Sequence, residues 1–292
     1  MAKKEEKKLS EELPVSKPAT EIAPVASQAL AVPAGQQTLA EQLSALGASP
    51  GLVKRAVKAA SNFALMETPK IPRIKALSDG LLLDEDSEED PLKEITGTII
   101  FGAKYKAYYE KEFNPDVKGA PPDCFSHNGV VPEPDAAKKQ NPVCKTCRWN
   151  QFGSAKTGEG KACRDIRRLF LLTSVAPGEE AIMPLQLNVT PSSIKSWDDY
   201  MGKLITYGFA FDEVETKVIA KKKNREDKYV TLTFSKIRAF GDSAEDTQIL
   251  ANISALKTLW MPFMERQHVD IEETVEEKEP APAKQSVPSG EY

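Results

Sequence analysis

Five β-type segments, one helix between the third and fourth, and a cysteine-bearing insertion after the first predict a mainly β barrel with flanking helices. The 292 residues suffice for one good-sized domain with long tails or for two small domains. Hydrophobic residues make up 40%, enough for a core, so a wholly disordered chain is excluded. The apolar stretches are strand-sized, well short of the ~20 residues of a membrane-spanning helix, so no membrane is expected as a partner. A net charge of −4 argues against a globally basic nucleic-acid binder but leaves room for a basic face offset by acidic tails. No apolar run follows the charged start Met1-Ala2-Lys3-Lys4, so no secretory signal is expected and the cytoplasm (the host's, for a viral chain) is the expected location.

Residues 1–36 are rich first in Lys and Glu, then in Ala, Pro and Val, without helical period, and read as a disordered tail. Residues 37–67 read as a helical hairpin. Thr38 caps a helix carrying Leu39, Leu43 and Leu46, Gly47 ends it, and Ser49-Pro50 opens a second helix to about Met66. The barrel domain is expected over 74–241. Ile74–Leu83 reads as a strand, and Asp84–Asp90, with six acids in seven residues, as a solvated loop. From Ile95 to Tyr109, Ile95, Gly97, Ile99, Phe101, Ala103 and Tyr105 alternate with polar or small residues. This predicts a long strand that Gly97 and Gly102 allow to bend.

Residues 113–168 hold all four cysteines and carry too little periodicity for an ordinary core, so they are expected to form a zinc-organised insertion. Strands are expected at Leu169–Val175 and Ala181–Val189. A helix follows at Thr190-Pro191 with Ile194, Trp197, Met201 and Leu204 on one face. Strands then follow at Phe209–Ala220 and Lys228–Phe240, joined by the basic tip 221–225. Residues 243–264 read as a helix capped by Ser243, and 265–292, with eight acids against three bases, as an acidic disordered tail. Strand, insertion, strand, strand, helix, strand, strand is the order of a five-stranded OB-like barrel, a fold that often presents a groove to single-stranded nucleic acid.

Cys144-Lys145-Thr146-Cys147 offers two sulfurs to one tetrahedral ion. Cys124, 20 residues before Cys144, and Cys163, 16 after Cys147, complete a four-thiolate set suited to structural Zn²⁺. Cys124-Phe125-Ser126-His127 is also a CxxH, which leaves His127 as the alternative ligand. A redox CxxC normally opens a helix after a strand, whereas this one lies between Asn141-Pro142 and Asn150-Gln151. Four ligands leave no open position for a catalytic water, and no HExxH, GxSxG or P-loop pattern is present, so no enzyme is expected.

Between Lys138 and Arg168 there are nine bases and two acids, a net +7. Lys145, Arg148, Lys156, Lys161, Arg164, Arg167 and Arg168 from this field, with Lys104 and Lys106 of the first long strand, are candidate phosphate contacts. Tyr105, Tyr108, Trp149 and Phe152 are candidate base-stacking rings, although Tyr105 is in phase with Ile99, which favours the core for it. Residues 150–161 read as a flexible loop, and GxxxxGK within it lacks the Ser or Thr of a true P-loop.

Pro122-Asp123-Cys124-Phe125-Ser126, Cys144 through Ala155 (CKTCRWNQFGSA) and Gly160 through Leu169 (GKACRDIRRL) resemble a family of tailed-phage and prophage zinc-motif proteins over roughly residues 95–240. In organisation the chain also resembles the zinc-containing single-stranded DNA-binding replication proteins of large phages, which combine an OB-type core, a zinc insertion and an acidic C-terminus. That family uses a histidine ligand, so the resemblance keeps His127 in play. The resemblance implies metal and nucleic acid and supplies no catalytic residue.

The expected function is sequence-tolerant binding of single-stranded DNA, with RNA not excluded, in replication or recombination. The acidic tail would engage replication or recombination proteins. The alternative is a zinc-containing protein-interaction adaptor or transcription regulator docking on a polymerase.

Overall fold

The computed structural model describes residues 37–66, 70–77, 80–82, 90–110, 121–156, 158–173, 181–222 and 230–266. The expectations for residues 1–36, for most of the acidic loop 84–90, for 223–225 of the basic tip and for the tail beyond Arg266 lie outside them. Twelve elements matter here, numbered in chain order: α1 (Leu39–Ala45), α2 (Pro50–Phe63), β1 (Arg73–Leu77), β2 (Gly80–Leu82), β3 (Ile95–Tyr108), β4 (Cys124–Ser126), β5 (Arg164–Thr173), β6 (Leu185–Val189), α3 (Pro191–Thr206), β7 (Val214–Lys222), β8 (Val230–Ala239) and α4 (Ala244–Met264).

The strands form one sheet in the order β2-β1-β6-β5-β3-β7-β8, with β4 added to the end of β3. It curls into a half-barrel. All pairs are antiparallel except β1 with β6. β3 is the shared strut: its first residues, Ile95–Gly97, pair with β7, its length from Gly97 to Ala107 pairs with β5, and its last three residues pair with β4. Gly97 lies where β5 and β7 both meet β3, and a Cβ there would sit 2.4 Å from the Leu172 carbonyl oxygen, so only glycine fits. A register shift between Ile99 and Phe101 bends the strand beyond that point.

The concave face is apolar. Ile95 and Ile99 of β3, Leu169 and Leu171 of β5, Leu187 and Val189 of β6, Val214 and Val218 of β7 and Leu232 of β8 form one buried cluster. α3 closes that concavity, burying Trp197, Tyr200 and Leu204 in the same cluster. Its two buried polar groups are satisfied: the Tyr200 hydroxyl lies 2.7 Å from Thr216 Oγ1, and Ser193 Oγ accepts from the Leu232 amide.

On the convex face α1, α2 and α4 share a second core with Ile100, Phe170 and Leu172, so the N-terminal hairpin and the C-terminal helix pack as one layer. The expected caps are present. Thr38 forms a capping box with Glu41, and the Ser49 and Ser243 hydroxyls accept from Leu52 and Asp246. Asn252 of α4 accepts from the Ser49 amide, and Phe63 meets Trp260 edge-on at 5.1 Å.

Several expectations are corrected. The single strand expected over Ile74–Leu83 is a short hairpin, β1 and β2, and β4 has no counterpart among the expected strands. The sheet therefore has eight strands where that strand and the five of the barrel are expected. β5 begins five residues before the expected Leu169, inside the cysteine-bearing segment. Phe209–Glu213 is not strand: Phe211–Glu213 forms a single 3₁₀ turn before β7. The insertion is not organised by cysteines alone, because Phe125 and Ala136 pack on Tyr105, Ala107 and Ile166 in a small third core.

Candidate metal centre

The site is built where β3 leaves the barrel. Side chains alternate there: Tyr105 and Ala107 enter the third core, while Lys106 and Tyr108 face the other way. β4 pairs Tyr108 with Cys124 and Lys106 with Ser126, which puts Cys124 on the Lys106–Tyr108 face. Cys163 immediately precedes β5, and its amide donates to the Trp149 carbonyl at 2.8 Å. Two consecutive 3₁₀ turns, Cys144–Thr146 and Arg148–Asn150, carry the CxxC, with the Cys147 amide donating to the Cys144 carbonyl and the Asn150 amide to the Cys147 carbonyl. The four cysteines, separated by up to 39 positions in sequence, thus line one small cavity together with Lys106, Tyr108 and Asn150.

All four thiols are free. Cys144, Cys147 and Cys163 are buried and Cys124 is half-buried. Burial raises the thiols of Cys124 and Cys144 above the ordinary value and pushes Cys163 up to about 12. Lys106 acts against this on Cys144 and Cys163, while the sulfurs raise one another. The thiols of Cys124, Cys144 and Cys163 are therefore protonated at neutral pH unless a cation displaces their protons. The donor chemistry suits a thiophilic tetrahedral ion. Among the described residues, however, no group of three or more His, Cys, Asp or Glu side chains stands arranged to hold a metal ion.

His127 does not line this cavity. Its ring packs 5.5 Å from both Tyr105 and Phe125, on the side of β4 that faces the third core. The sequence alternative of His127 as a ligand is therefore not supported by its position.

Beside the cavity lies a network of half-buried charge. Lys106 and Lys161 both bind Asp165, Lys161 at 2.9 Å, and both also reach Asn150 Oδ1, at 3.0 and 3.4 Å. Asn150 in turn donates to the Cys144 carbonyl at 2.7 Å. Burial raises the Asp165 carboxyl, but the two lysines outweigh it and hold the group below its usual range.

The candidate nucleic-acid residues divide into three groups. Lys104, Lys145, Arg148 and Lys156 are exposed, and Arg164 and Arg167 are half-buried. Lys104 and Arg167 are cross-strand partners on the same face as Lys106 and Asp165, between the apolar concavity and the cysteine cavity. Phe152 is 80% exposed, with Lys161 Nζ 5.1 Å from its ring centroid. The loop bearing Phe152 is not the slack segment expected: the Gly153 and Ala155 amides donate to the Gly160 carbonyl, and Gly153 adopts φ +85°.

Tyr108 and Trp149 stack on each other, 5.0 Å apart at 20°, with Tyr108 buried, the indole N–H donating to Gln140 and Arg148 over the Trp149 ring. They are packing partners, with Tyr108 in the cavity wall and Trp149 behind it, and not free platforms. Lys106 and Lys161 are engaged in the Asp165 network. Tyr105 and Arg168 are both 0% exposed, which corrects their assignment to the binding surface. The Arg168 guanidinium lies 5.2 Å from the Tyr105 ring centroid and donates to the carbonyls of His127, Met264 and Glu265. Burial lowers it to about 10, so it remains charged at neutral pH. Alternation assigned neither: the register shift between Ile99 and Phe101 carries Tyr105 to the face opposite Ile99, and Arg168 precedes the strand expected from Leu169. Nor did it carry any sign that the end of α4 covers that face.

No protein-family model, curated protein or solved structure matches the chain. Among the described residues no helix is long and apolar enough to cross a membrane.

Proposed function

We propose that the chain is a single-stranded DNA-binding protein of phage type, sequence-tolerant, acting in replication or recombination in the cytoplasm. A structural Zn²⁺ held by Cys124, Cys144, Cys147 and Cys163 would fix the lobe beside the barrel. The observation that carries this reading is the exposed Phe152 on a tied-down loop, sharing its lobe with the exposed cations Lys145, Arg148 and Lys156. A base stacks on the ring while the cations neutralise phosphates, a combination that suits single strands. Two further features support it. The pairing order β6-β5-β3-β7-β8, with α3 between β6 and β7, is that of the five strands of an OB-fold, here without pairing between β6 and β8. The cross-strand pair Lys104–Arg167 continues the cationic surface from the lobe towards the barrel mouth.

In this role the protein is a binder and not an enzyme, and the acidic tail engages partner proteins. Fluorescence titration with single- and double-stranded oligonucleotides at two salt concentrations tests the reading. Preference for single strands is expected, with log K falling by about 0.7 per neutralised phosphate for each tenfold rise in salt. Binding that ignores salt, or no binding, overturns it.

One observation favours the adaptor reading instead. Val130, Val131 and Val143 are exposed on the same lobe, with Val130 tied to the neighbourhood of Val143 by the Cys144 amide. An apolar patch of this kind suits a protein partner.

A further inference from the structure

Lys106 and Lys161 are costly residues to bury. Their side chains are 14% and 24% exposed, and they share one carboxylate, Asp165, itself 25% exposed. Two ammonium groups on one carboxylate leave an excess positive charge partly withdrawn from water, where a close counter-charge is favoured. The neighbour is the cysteine cavity. Lys106 lines it together with all four sulfurs, and Asn150, which accepts from both lysines, lines it as well and donates to the Cys144 carbonyl.

Four neutral thiols would give the lysines nothing. Four thiolates around a divalent cation carry two units of negative charge in excess, and the excess cation of the Lys–Asp–Lys network offsets one of them. Each half of the arrangement therefore supplies what the other lacks.

We propose that Lys106 and Lys161, clamped in place by Asp165 and Asn150, are the charge-compensating residues of the four-thiolate metal centre. This deepens the metal reading above and rests on it. The lysines touch no metal. They act through the sulfurs, offsetting the negative charge of the metal-bound four-sulfur set and orienting the Cys144 turn through Asn150. Asp165 fixes the Lys106 ammonium at the cavity wall and the Lys161 ammonium beside Asn150, and limits their net charge. The network thereby favours a dianionic centre over a neutral one with two thiolates and two histidines.

The test uses the full chain. Zinc affinity is measured by competition with a chromophoric chelator for wild type, Lys106→Met, Lys161→Met and Lys161→Arg. The sulfur-to-metal charge-transfer absorption is read from the same proteins loaded with Co²⁺. Both methionine variants should bind zinc about 10- to 100-fold more weakly, the range for altered outer-shell partners. Their Co²⁺ charge-transfer band should also move to lower energy, because sulfur that has lost a nearby cation gives up electron density more readily. Lys161→Arg, at the more accessible position, should restore both. Affinities within twofold of wild type, or weaker affinity with an unmoved band, overturn the proposal. If Lys106→Met fails to fold, Lys161→Met with its arginine rescue decides the matter alone. A wild-type chain that takes up no zinc overturns the metal reading itself, a result distinct from a zinc-loaded wild type whose variants are unaffected.

Discussion

Arg168, in the middle of β5, donates a hydrogen bond to the main-chain carbonyl of Glu265, 97 residues further along and just past the end of α4 (3.2 Å). The same guanidinium serves the Met264 and His127 carbonyls, so one buried cation gathers a helix C-terminus, the barrel wall and the turn after β4. A positive charge at a helix C-terminus also meets the favourable end of the helix dipole. Arg168→Met should therefore destabilise the chain by about 3 kcal/mol or more, through lost charge-assisted bonds and stranded carbonyls. Chemical denaturation checks this. A loss of DNA affinity without a loss of stability would return Arg168 to the binding surface.

The aromatic rings should separate by role. Tyr108→Ala removes a buried ring from the cavity wall and should cost about 3 kcal/mol of stability. Trp149→Ala should weaken metal retention with it. Phe152→Ala should leave the melting temperature unchanged and weaken single-strand binding by about 1–3 kcal/mol if a base stacks there. Thermal melts and oligonucleotide titrations on the three variants distinguish these outcomes.

Purified protein should carry one zinc per chain by elemental analysis. Cys147→Ser should lose it and His127→Ala should keep it, since His127 lies against Tyr105 and Phe125 and not on the cavity. The reverse pattern would place His127 among the ligands.

Acid should loosen the start of α4. The Gly241 amide, with help from Arg238 and Ser243, holds the Asp246 carboxyl below its ordinary 3.8. A carboxyl lowered by folding stabilises the fold above its unfolded pKa, and that contribution is lost as pH falls through the folded value. The melting-temperature difference between wild type and Asp246→Asn should thus be largest near neutrality and shrink below about pH 4. A constant difference across that range would show that the carboxylate charge contributes nothing.

Truncation after Asp270 preserves the carbonyls that Arg168 binds and removes most of the acidic tail. If the tail competes with DNA for the basic lobe, the truncated chain should bind single strands more tightly. The gain should be greatest at low salt, where screening lengths exceed about 10 Å. Equal affinities at low and high salt would leave the tail a solubility role only.

Patterns that repeat within one segment were legible in the sequence. The 14-residue β3, the Trp197–Leu204 stripe of α3 and the serine and threonine caps were found by period or by cap chemistry. β4 was not, because three residues carry no measurable alternation. β1 and β2 merged into one expected strand because Ile74, Ala76 and Leu77 lead into Leu81 and Leu82 with only two residues between the elements. At the site, spacing singled out the cysteines. It said nothing of Asp165, whose importance comes from two lysines, one 59 positions away, meeting on it. Tyr108 and Trp149 looked like free rings because their stacking joins segments 41 positions apart.

β3 has a mechanical consequence. One end of this strand is a stave of the barrel and the other is the floor of the cysteine lobe, with β5 running alongside through most of its length. Fourteen residues at roughly 3.3 Å each make a spacer of about 45 Å before bending. Barrel and lobe therefore share a continuous backbone ladder instead of a hinge, and a molecule that touches both meets a gauge of fixed length and fixed angle.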